Sequence, residues 1–147
     1  MKAASRQRAE RYRRALLGIL GRPLTARDGV REPRLVRAEK RLGLALPSAL
    51  RDYYLLAGAA AENREHNRLF APEELVVEED RLLFMEENQG VVTWGASLGR
   101  GPRADPVVWQ RVNGDRPQWY SEELTFSAFI LSNLAWQRGL PERTPRR

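Results

Sequence analysis

The 147-residue sequence contains no cysteine and a single histidine, His66. Without cysteine, the chain cannot form a disulfide scaffold, a cysteine-ligated zinc site, an iron–sulfur cluster or a thiol nucleophile. His66 has no second histidine or cysteine with which to share a metal ion, and Arg64 close by discourages a cation. We therefore interpret His66 as a solvated loop residue and expect neither a metal nor any other cofactor.

Long apolar runs are also missing. After the charged N-terminus, the apolar run from Ala15 to Leu20 is far shorter than a signal peptide requires. No other stretch approaches the roughly 20 apolar residues of a membrane span. We therefore expect a soluble, cytoplasmic protein, and the chain length predicts a single domain over residues 1–147.

The net charge of +6 is distributed unevenly along the chain. Residues 1–41 carry 13 basic and 4 acidic side chains, residues 42–99 carry 4 and 10, and residues 100–147 carry 8 and 5. The basic total thus comes mainly from the N-terminal segment, and the middle of the chain is acidic. Overall charge alone does not indicate a nucleic-acid binder, because the acidic segment would repel phosphate.

Hydrophobic periodicity predicts four helices. An arginine-rich amphipathic helix is predicted at about residues 5–20, and a second one over about Pro33 to Leu42. Gly43 is placed to adopt the left-handed conformation that ends the second helix. A third helix is predicted with Pro47 in its first turn, and the last helix is predicted to begin after Thr125.

Short runs of β-branched and aromatic residues predict an antiparallel meander in the second half of the chain. The four predicted strands are Leu82 to Glu86, Val91 to Gly95, Pro106 to Val112 and Gln118 to Tyr120. The polar stretch that follows Ala59 is predicted to be a surface loop with at most a short helical turn around Leu75. These elements predict an α+β fold, in which N-terminal helices pack on an antiparallel sheet of about four to six short strands and a C-terminal helix follows.

The stretch FMEENQGVVTWG, residues 84–95, places turn residues between two of the predicted strands. Asn88, Gln89 and Gly90 are typical of a hairpin turn. Trp94 is interpreted as a core anchor of the second strand, and Gly95 as a place where another backbone or ring can approach closely. The functional alternative is a ligand-binding loop in which Trp94 serves as a stacking platform.

Five motifs occur in a fixed order: AEKRLGLALPSALRDYYLLAG, LFAPEEL, LLFMEENQGVVTWG, DPVVWQRVNGD and LTFSAFILSNL. In this order and spacing they resemble the SUKH superfamily from Arg37 almost to the end of the chain. That family has a helix ending in Glu-x-x-Leu-Gly, a Leu-Pro step into a further helix, and a hairpin that carries Asn-Gln-Gly and Trp-Gly. AGAAAEN stands where the family usually has Asn-Gly, and the arginine-rich start lies outside the pattern.

The resemblance implies a bacterial immunity protein that binds a secreted polymorphic toxin domain and occludes the active site of that domain. Fungal relatives regulate cell-wall synthesis. No catalytic residues carry over from the family, so the resemblance implies a protein that is not an enzyme. We expect the partner to be the cognate toxin domain, with no membrane contact, and the free chain to be a monomer. The positions expected to be structural are Gly43, Pro47, Gly90, Trp94 and Gly95.

The acidic middle and the exposed aromatic residues supply candidate partner-binding positions. Neither the paired carboxylates of a glycosidase nor the alternating oxygen ligands of a calcium loop are apparent there, which leaves a partner-binding face or a solvated surface. The candidates are Glu73, Glu74, Glu78, Glu79, Asp80, Glu86, Glu87, Trp109, Trp119 and Tyr120.

The alternative function is nucleic-acid binding by the N-terminal helix. Arginine side chains in SRQRAERYRR could neutralise phosphates, whereas the ordinary interpretation is a solvated helix face. The aromatic and glycine motifs of known RNA-binding modules are missing, so nucleic acid is the less favoured partner. The residues concerned are Arg6, Arg8, Arg11, Arg13 and Arg14.

Overall fold

A computed structural model describes residues 3–99 and 101–140. Its four helices are α1 (Ala3–Leu20), α2 (Glu32–Leu42), α3 (Ser48–Ala57) and α4 (Phe126–Gln137). Its six strands are β1 (Arg68–Leu69), β2 (Val76–Glu78), β3 (Arg81–Glu86), β4 (Val92–Ser97), β5 (Val107–Val112) and β6 (Gln118–Thr125). The predicted α+β class is confirmed, with helices before the antiparallel sheet and one helix after it. None of these helices is long and apolar enough to cross a membrane.

The strands form one antiparallel sheet in the order β1-β3-β4-β5-β6, and β2 also pairs with β3. The four predicted strands are present, but β1 lies in the stretch that was predicted to be a loop, and β2 lies directly after that stretch, where no element was predicted. Each has only two or three residues and pairs with the outer edge of β3, so neither is long enough to produce a period of two. β6 also continues to Thr125, past its predicted end at Tyr120, because a bulge at Glu123 (φ 58°) carries polar residues into the strand.

The core lies between one face of the sheet, here called the inner face, and the helices. Phe84 on β3 contacts Phe126 and Phe129 of α4 in edge-to-face geometry, with ring centroids 5.0 and 5.9 Å apart. Tyr53 of α3 joins this cluster, and Tyr12 of α1 packs on Tyr53 at 5.4 Å. α1, α3 and α4 therefore bury one face of the sheet and leave the opposite face, the outer face, for other contacts.

Three of the positions expected to be structural lie at a helix end or in a turn: Gly43, Pro47 and Gly90. Gly43 has φ +71° and ends α2, with its N–H bonded to the carbonyl of Glu39 at 2.9 Å. Pro47 is the N-cap of α3 and not a first-turn residue, because the helix begins at Ser48. Gly90 adopts φ +71° in the β3–β4 turn, where a left-handed residue is needed.

A partly buried ion-pair cluster joins the segment after α1 to the segment after α3. Arg22 donates to both oxygens of Asp28 (2.8 and 3.0 Å) and to both oxygens of Glu62 (2.9 and 3.0 Å). Bonding to Arg22 lowers the pKa of Asp28 to about 2, and the backbone N–H of Thr25 lowers it further. The same guanidinium lowers the pKa of Glu62.

Candidate functional site

An arginine side chain between two tryptophan rings is the main feature of the outer face. The guanidinium carbon of Arg81 lies 4.2 Å from the ring centroid of Trp119 and 4.7 Å from that of Trp109. Arg81 comes from β3, Trp109 from β5 and Trp119 from β6, so three strands build this arginine–tryptophan stack. Both rings are partly buried and keep some exposure to solvent.

Gly95 explains how the stack can form across the sheet. It lies on β4 opposite Leu83 and Trp109, between the strands that supply Arg81 and Trp119. A Cβ atom at Gly95 would stand 3.1 Å from Arg81 Cβ and 3.5 Å from a ring carbon of Trp119. Because Gly95 has no side chain, the ring of Trp119 can lie directly over β4. This is the kind of close approach that the sequence predicted at Gly95.

Charged groups hold the edges of the stack. The indole N–H of Trp119 donates to Glu79 Oε2 at 2.7 Å, and Arg111 forms an ion pair with Glu78. Arg111 also lies 5.7 Å from the ring of Trp119. Glu79 and Asp80 form the two-residue β2–β3 turn, and both have positive φ (49° and 59°). A tight turn of this shape normally prefers Asn-Gly, so these two acidic residues stand at a conformationally costly position.

The other acidic candidates lie away from the stack, and most have arginine partners. Glu73 forms a bidentate pair with Arg34 at 2.7 and 2.8 Å, which lowers the pKa of Glu73 to about 2. Glu74 and Glu86 share Arg68, at 2.7 and 2.8 Å. The acidic middle segment therefore does not form a continuous negative surface, because arginines from inside and outside the segment neutralise it.

Two candidates lie toward the inner face. Tyr120 is 49% exposed and pairs with Gln110 on β5, so it points away from the stack. Glu87 follows β3 and lines a cleft of about 650 Å³ between α4 and the end of the sheet. Trp94 lines the same cleft, packs on Phe129 at 5.7 Å and donates its indole N–H to Glu122 at 3.0 Å. Trp94 thus contacts the helix, as expected for a core anchor, and also presents a surface to the cleft.

His66 is exposed at the rim of this cleft. Its ring makes an edge contact with Trp136 at 5.4 Å. Among residues 3–99 and 101–140, no group of three or more histidine, aspartate or glutamate side chains could hold a metal ion. His66 lies after the short 3-10 helix Ala61–Arg64, in the region that was predicted to be a loop.

The N-terminal arginines divide into two kinds. Arg8 is only 7% exposed and pairs with Asp52 of α3 at 2.8 Å, so its role is structural. The remaining four are exposed on α1: Arg6, Arg11, Arg13 and Arg14. Of these, Arg13 makes only a long ion pair with Glu10, at 3.6 Å between two exposed side chains.

Four residues of these surfaces were not predicted from the sequence: Arg81, Arg111, Glu122 and Asn67. Each is an ordinary polar residue in its local stretch, and each gains importance from a partner on another strand or helix. Period-two alternation along β3 and β5 does place Arg81 with Trp109 on one face once the strand register is known. The register is the information that the sequence did not supply.

Comparisons of the chain with protein-family models, with curated proteins and with solved structures found no match. The resemblance to the SUKH superfamily therefore rests on the order of the five motifs and remains a prediction.

Proposed function

We propose that this chain is a SUKH-like immunity protein, a binding protein without catalytic activity that attaches to a toxin domain and blocks its active site. The observation that carries the proposal is the arginine–tryptophan stack on the outer face of the sheet. The motif order described above supports the family, and the stack supplies a surface suited to a protein partner.

Tryptophan and arginine are the residues most enriched among the dominant contacts of protein interfaces. In the stack, Arg81 is already held between Trp109 and Trp119 before any partner arrives. Trp119 is fixed by Glu79, so a partner would find side chains with little remaining rotamer freedom. Preorganisation of this kind reduces the entropy lost on binding, which favours a tight complex.

We assign electrostatic attraction of the partner a smaller role than the charge count of the acidic segment suggested. Glu78 is engaged by Arg111 and Glu79 by Trp119, so reversing these charges would dismantle the stack as well as change the field. Asp80 has no ion pair in the described part of the chain. We therefore assign the binding energy mainly to the rings and expect only a moderate salt dependence.

A cell-protection assay tests the proposed function. The first step is to search the reading frames beside this chain for a large secreted protein with a variable C-terminal domain, and to express that domain as the candidate toxin in cells with or without the chain. We expect the wild-type chain to restore growth and the Trp109→Ala and Trp119→Ala variants to lose most of that protection. Trp136→Ala is the matched control, because this tryptophan is 54% exposed and lies on α4. Equal protection by all variants would move the interface elsewhere, and no protection by wild type would contradict the immunity function.

The alternative function, nucleic-acid binding, retains four exposed arginines on α1 as its supporting observation. Replacing Arg6, Arg11, Arg13 and Arg14 with glutamine distinguishes it from the first proposal. If these arginines bind phosphates, the variant loses binding to a labelled duplex and the salt slope of the affinity falls by several units. If the stack is the functional surface, the same variant still protects cells from the toxin.

A further inference from the structure

The cleft between α4 and the inner face is unlike the rest of this basic protein. Its walls include the aromatic residues Trp94, Phe129 and Trp136, and Glu87 and Glu122 stand at its polar side. A volume of about 650 Å³ lies within the usual range of ligand sites, which is about 300–1,000 Å³. Aromatic walls with a few placed polar groups are the usual composition of such sites.

The charge of the cleft is negative. The chain has 25 lysine and arginine residues, yet none of the described residues that line the cleft is lysine or arginine. Glu122 Oε1 accepts the Trp94 indole N–H at 3.0 Å, and Glu122 Oε2 has no hydrogen bond to the described part of the chain. The carboxylate of Glu87 likewise has no ion pair within residues 3–99 and 101–140. Two carboxylates therefore face the cleft without a cation.

Asn67 adds an unsatisfied polar group to the wall of this cleft. It lines the cleft and is 4% exposed, and its Oδ1 has no hydrogen-bond partner in the described residues. The orientation of the amide follows from its neighbours: Asn133 presents its NH₂ to the sulfur of Met85 at 3.6 Å and its oxygen to Asn67 Nδ2 at 3.0 Å. A thioether only accepts hydrogen bonds, so the Asn67 oxygen receives no donor from Asn133. The amide of Gln137, whose Oε1 accepts the Asn67 N–H at 3.0 Å, also has a nitrogen that is unpaired within the described part of the chain.

We propose that this cleft binds a guanidinium group, with Glu122 as its carboxylate partner. A guanidinium is planar, carries five N–H donors and is weakly hydrated, so it can pair with a carboxylate, donate to an amide oxygen and stack on an indole. The cleft offers the first and third of these contacts, from the carboxylate of Glu122 and the ring of Trp94, whereas Asn67 Oδ1 is buried within the wall. An ammonium group is strongly hydrated and suits these aromatic walls less well. This proposal concerns a different surface from the stack and does not rest on the immunity function.

Titration of the ¹⁵N-labelled full chain with L-argininamide tests the proposal. The chain has four tryptophans, so their indole N–H signals form a compact set of reporters. We expect the Trp94 signal to shift in a saturable manner, because its N–H is bonded to Glu122, while the signals of Trp109 and Trp119 stay in place. Citrullinamide, in which a neutral urea replaces the guanidinium, is the matched ligand control and should not bind.

Glu122→Gln should weaken argininamide binding by about tenfold or more, since it removes the charge and keeps the shape. Glu123→Gln is the matched control, because it removes the same charge from the neighbouring exposed position and should leave the affinity unchanged. The spectrum itself shows whether each variant is folded. Equal binding of argininamide and citrullinamide, or unchanged affinity of Glu122→Gln, would overturn the proposal.

The guanidinium could belong to an arginine side chain of a polypeptide or to a free metabolite, and a further titration distinguishes these two sources. Blocked Gly-Arg-Gly tripeptide presents the group as a protein does, whereas agmatine presents it as a free metabolite. Tighter binding of the tripeptide would identify the ligand as an arginine side chain of a polypeptide. Tighter binding of agmatine would identify it as a small molecule, and binding of neither would again overturn the proposal.

Discussion

The indole nitrogen of Trp119, near the start of β6, donates a hydrogen bond of 2.7 Å to Glu79 in the β2–β3 turn. The two residues are 40 positions apart in the chain, and two strands, β4 and β5, lie between β6 and β3, into which the turn leads. Trp119 spans this distance because Gly95 on β4 leaves room for the ring. This hydrogen bond thus connects β6 to the β2–β3 turn. Arg81 stacks on the ring of the same tryptophan.

Glu79→Ala should release the ring of Trp119. We expect the Trp119 indole signal to move toward the position of a solvent-exposed indole and the near-ultraviolet circular dichroism to weaken. The stability loss should be about 1 kcal/mol, because the bond is exposed on one side. Glu79→Gln keeps an acceptor oxygen and should behave nearly as wild type. If alanine and glutamine variants give the same indole signal, the hydrogen bond does not hold the ring.

Asp80 offers a test of the strain in the β2–β3 turn. Its φ of 59° is a conformation that costs residues with a Cβ atom about 1–2 kcal/mol and that glycine adopts freely. Asp80→Gly should therefore be more stable than Asp80→Ala by about 1 kcal/mol in chemical denaturation, with equal m-values. An alanine variant as stable as the glycine variant would argue against a left-handed residue at this position.

Gly95→Ala should disturb the stack directly. The new Cβ would lie 3.0 Å from Leu83 Cδ2 and 3.1 Å from Arg81 Cβ. Both side chains must therefore shift, and the ring of Trp119 must move away from β4. We expect a loss of about 1–3 kcal/mol in unfolding free energy, the usual cost of overpacking.

Gly18→Ala is the matched control for that change. Gly18 lies within α1 and has no atom within 4 Å of a new Cβ, so alanine should stabilise the helix by about 0.5–1 kcal/mol. If both alanine variants stabilise the protein, Gly95 is not a packing position.

Asp28 should make stability depend on pH below neutrality. Its pKa is lowered from the ordinary value of 3.8 to about 2, so the pairing with Arg22 stabilises the folded state fully above pH 5. That stabilisation is lost as the pH falls from 5 toward 2. Asp28→Asn should therefore cost about 2 kcal/mol at pH 7, and the difference from wild type should vanish near pH 2.

Glu73→Gln is the control for Asp28→Asn. The pKa of Glu73 is also lowered to about 2, but its side chain is 58% exposed, so solvent screens the pair with Arg34. We expect a loss of less than about 1 kcal/mol at pH 7. Equal losses in the two variants would mean that burial does not govern the strength of these pairs.

The predictable parts of this fold are those set by local sequence. Helices α2 and α4 lie where apolar spacing and capping residues placed them, and the β3–β4 turn lies at Asn88 to Gly90. Helix α3 begins at Ser48, one residue after the Pro47 that was predicted in its first turn. β1 and β2 could not be found, because two or three residues show no period and become strands only by pairing with β3. The local sequence therefore predicts the helices and the longer strands, whereas short edge strands can be found only when the strand they pair with is known.

The functional surfaces depend on contacts that no local pattern records. Trp109 and Trp119 were candidates from their type, but Arg81 joins them only through the pairing of four neighbouring strands. The count of acidic residues in the middle segment overstated its negative charge for a similar reason. Glu73, for example, is neutralised by Arg34, a residue of the basic N-terminal segment. Charge counted along the chain differs from charge on the surface whenever ion pairs join distant segments.

The affinity of the toxin domain for variants of the stack tests the proposed interface most directly. Surface plasmon resonance with the immobilised toxin domain compares wild type with Trp119→Ala and with the control Trp136→Ala. We expect Trp119→Ala to weaken binding by at least about 2 kcal/mol, mainly through faster dissociation, and Trp136→Ala to leave it unchanged. Wild-type affinity for Trp119→Ala, in a protein whose spectrum shows that it is folded, would contradict the assignment of the outer face as the toxin-binding surface.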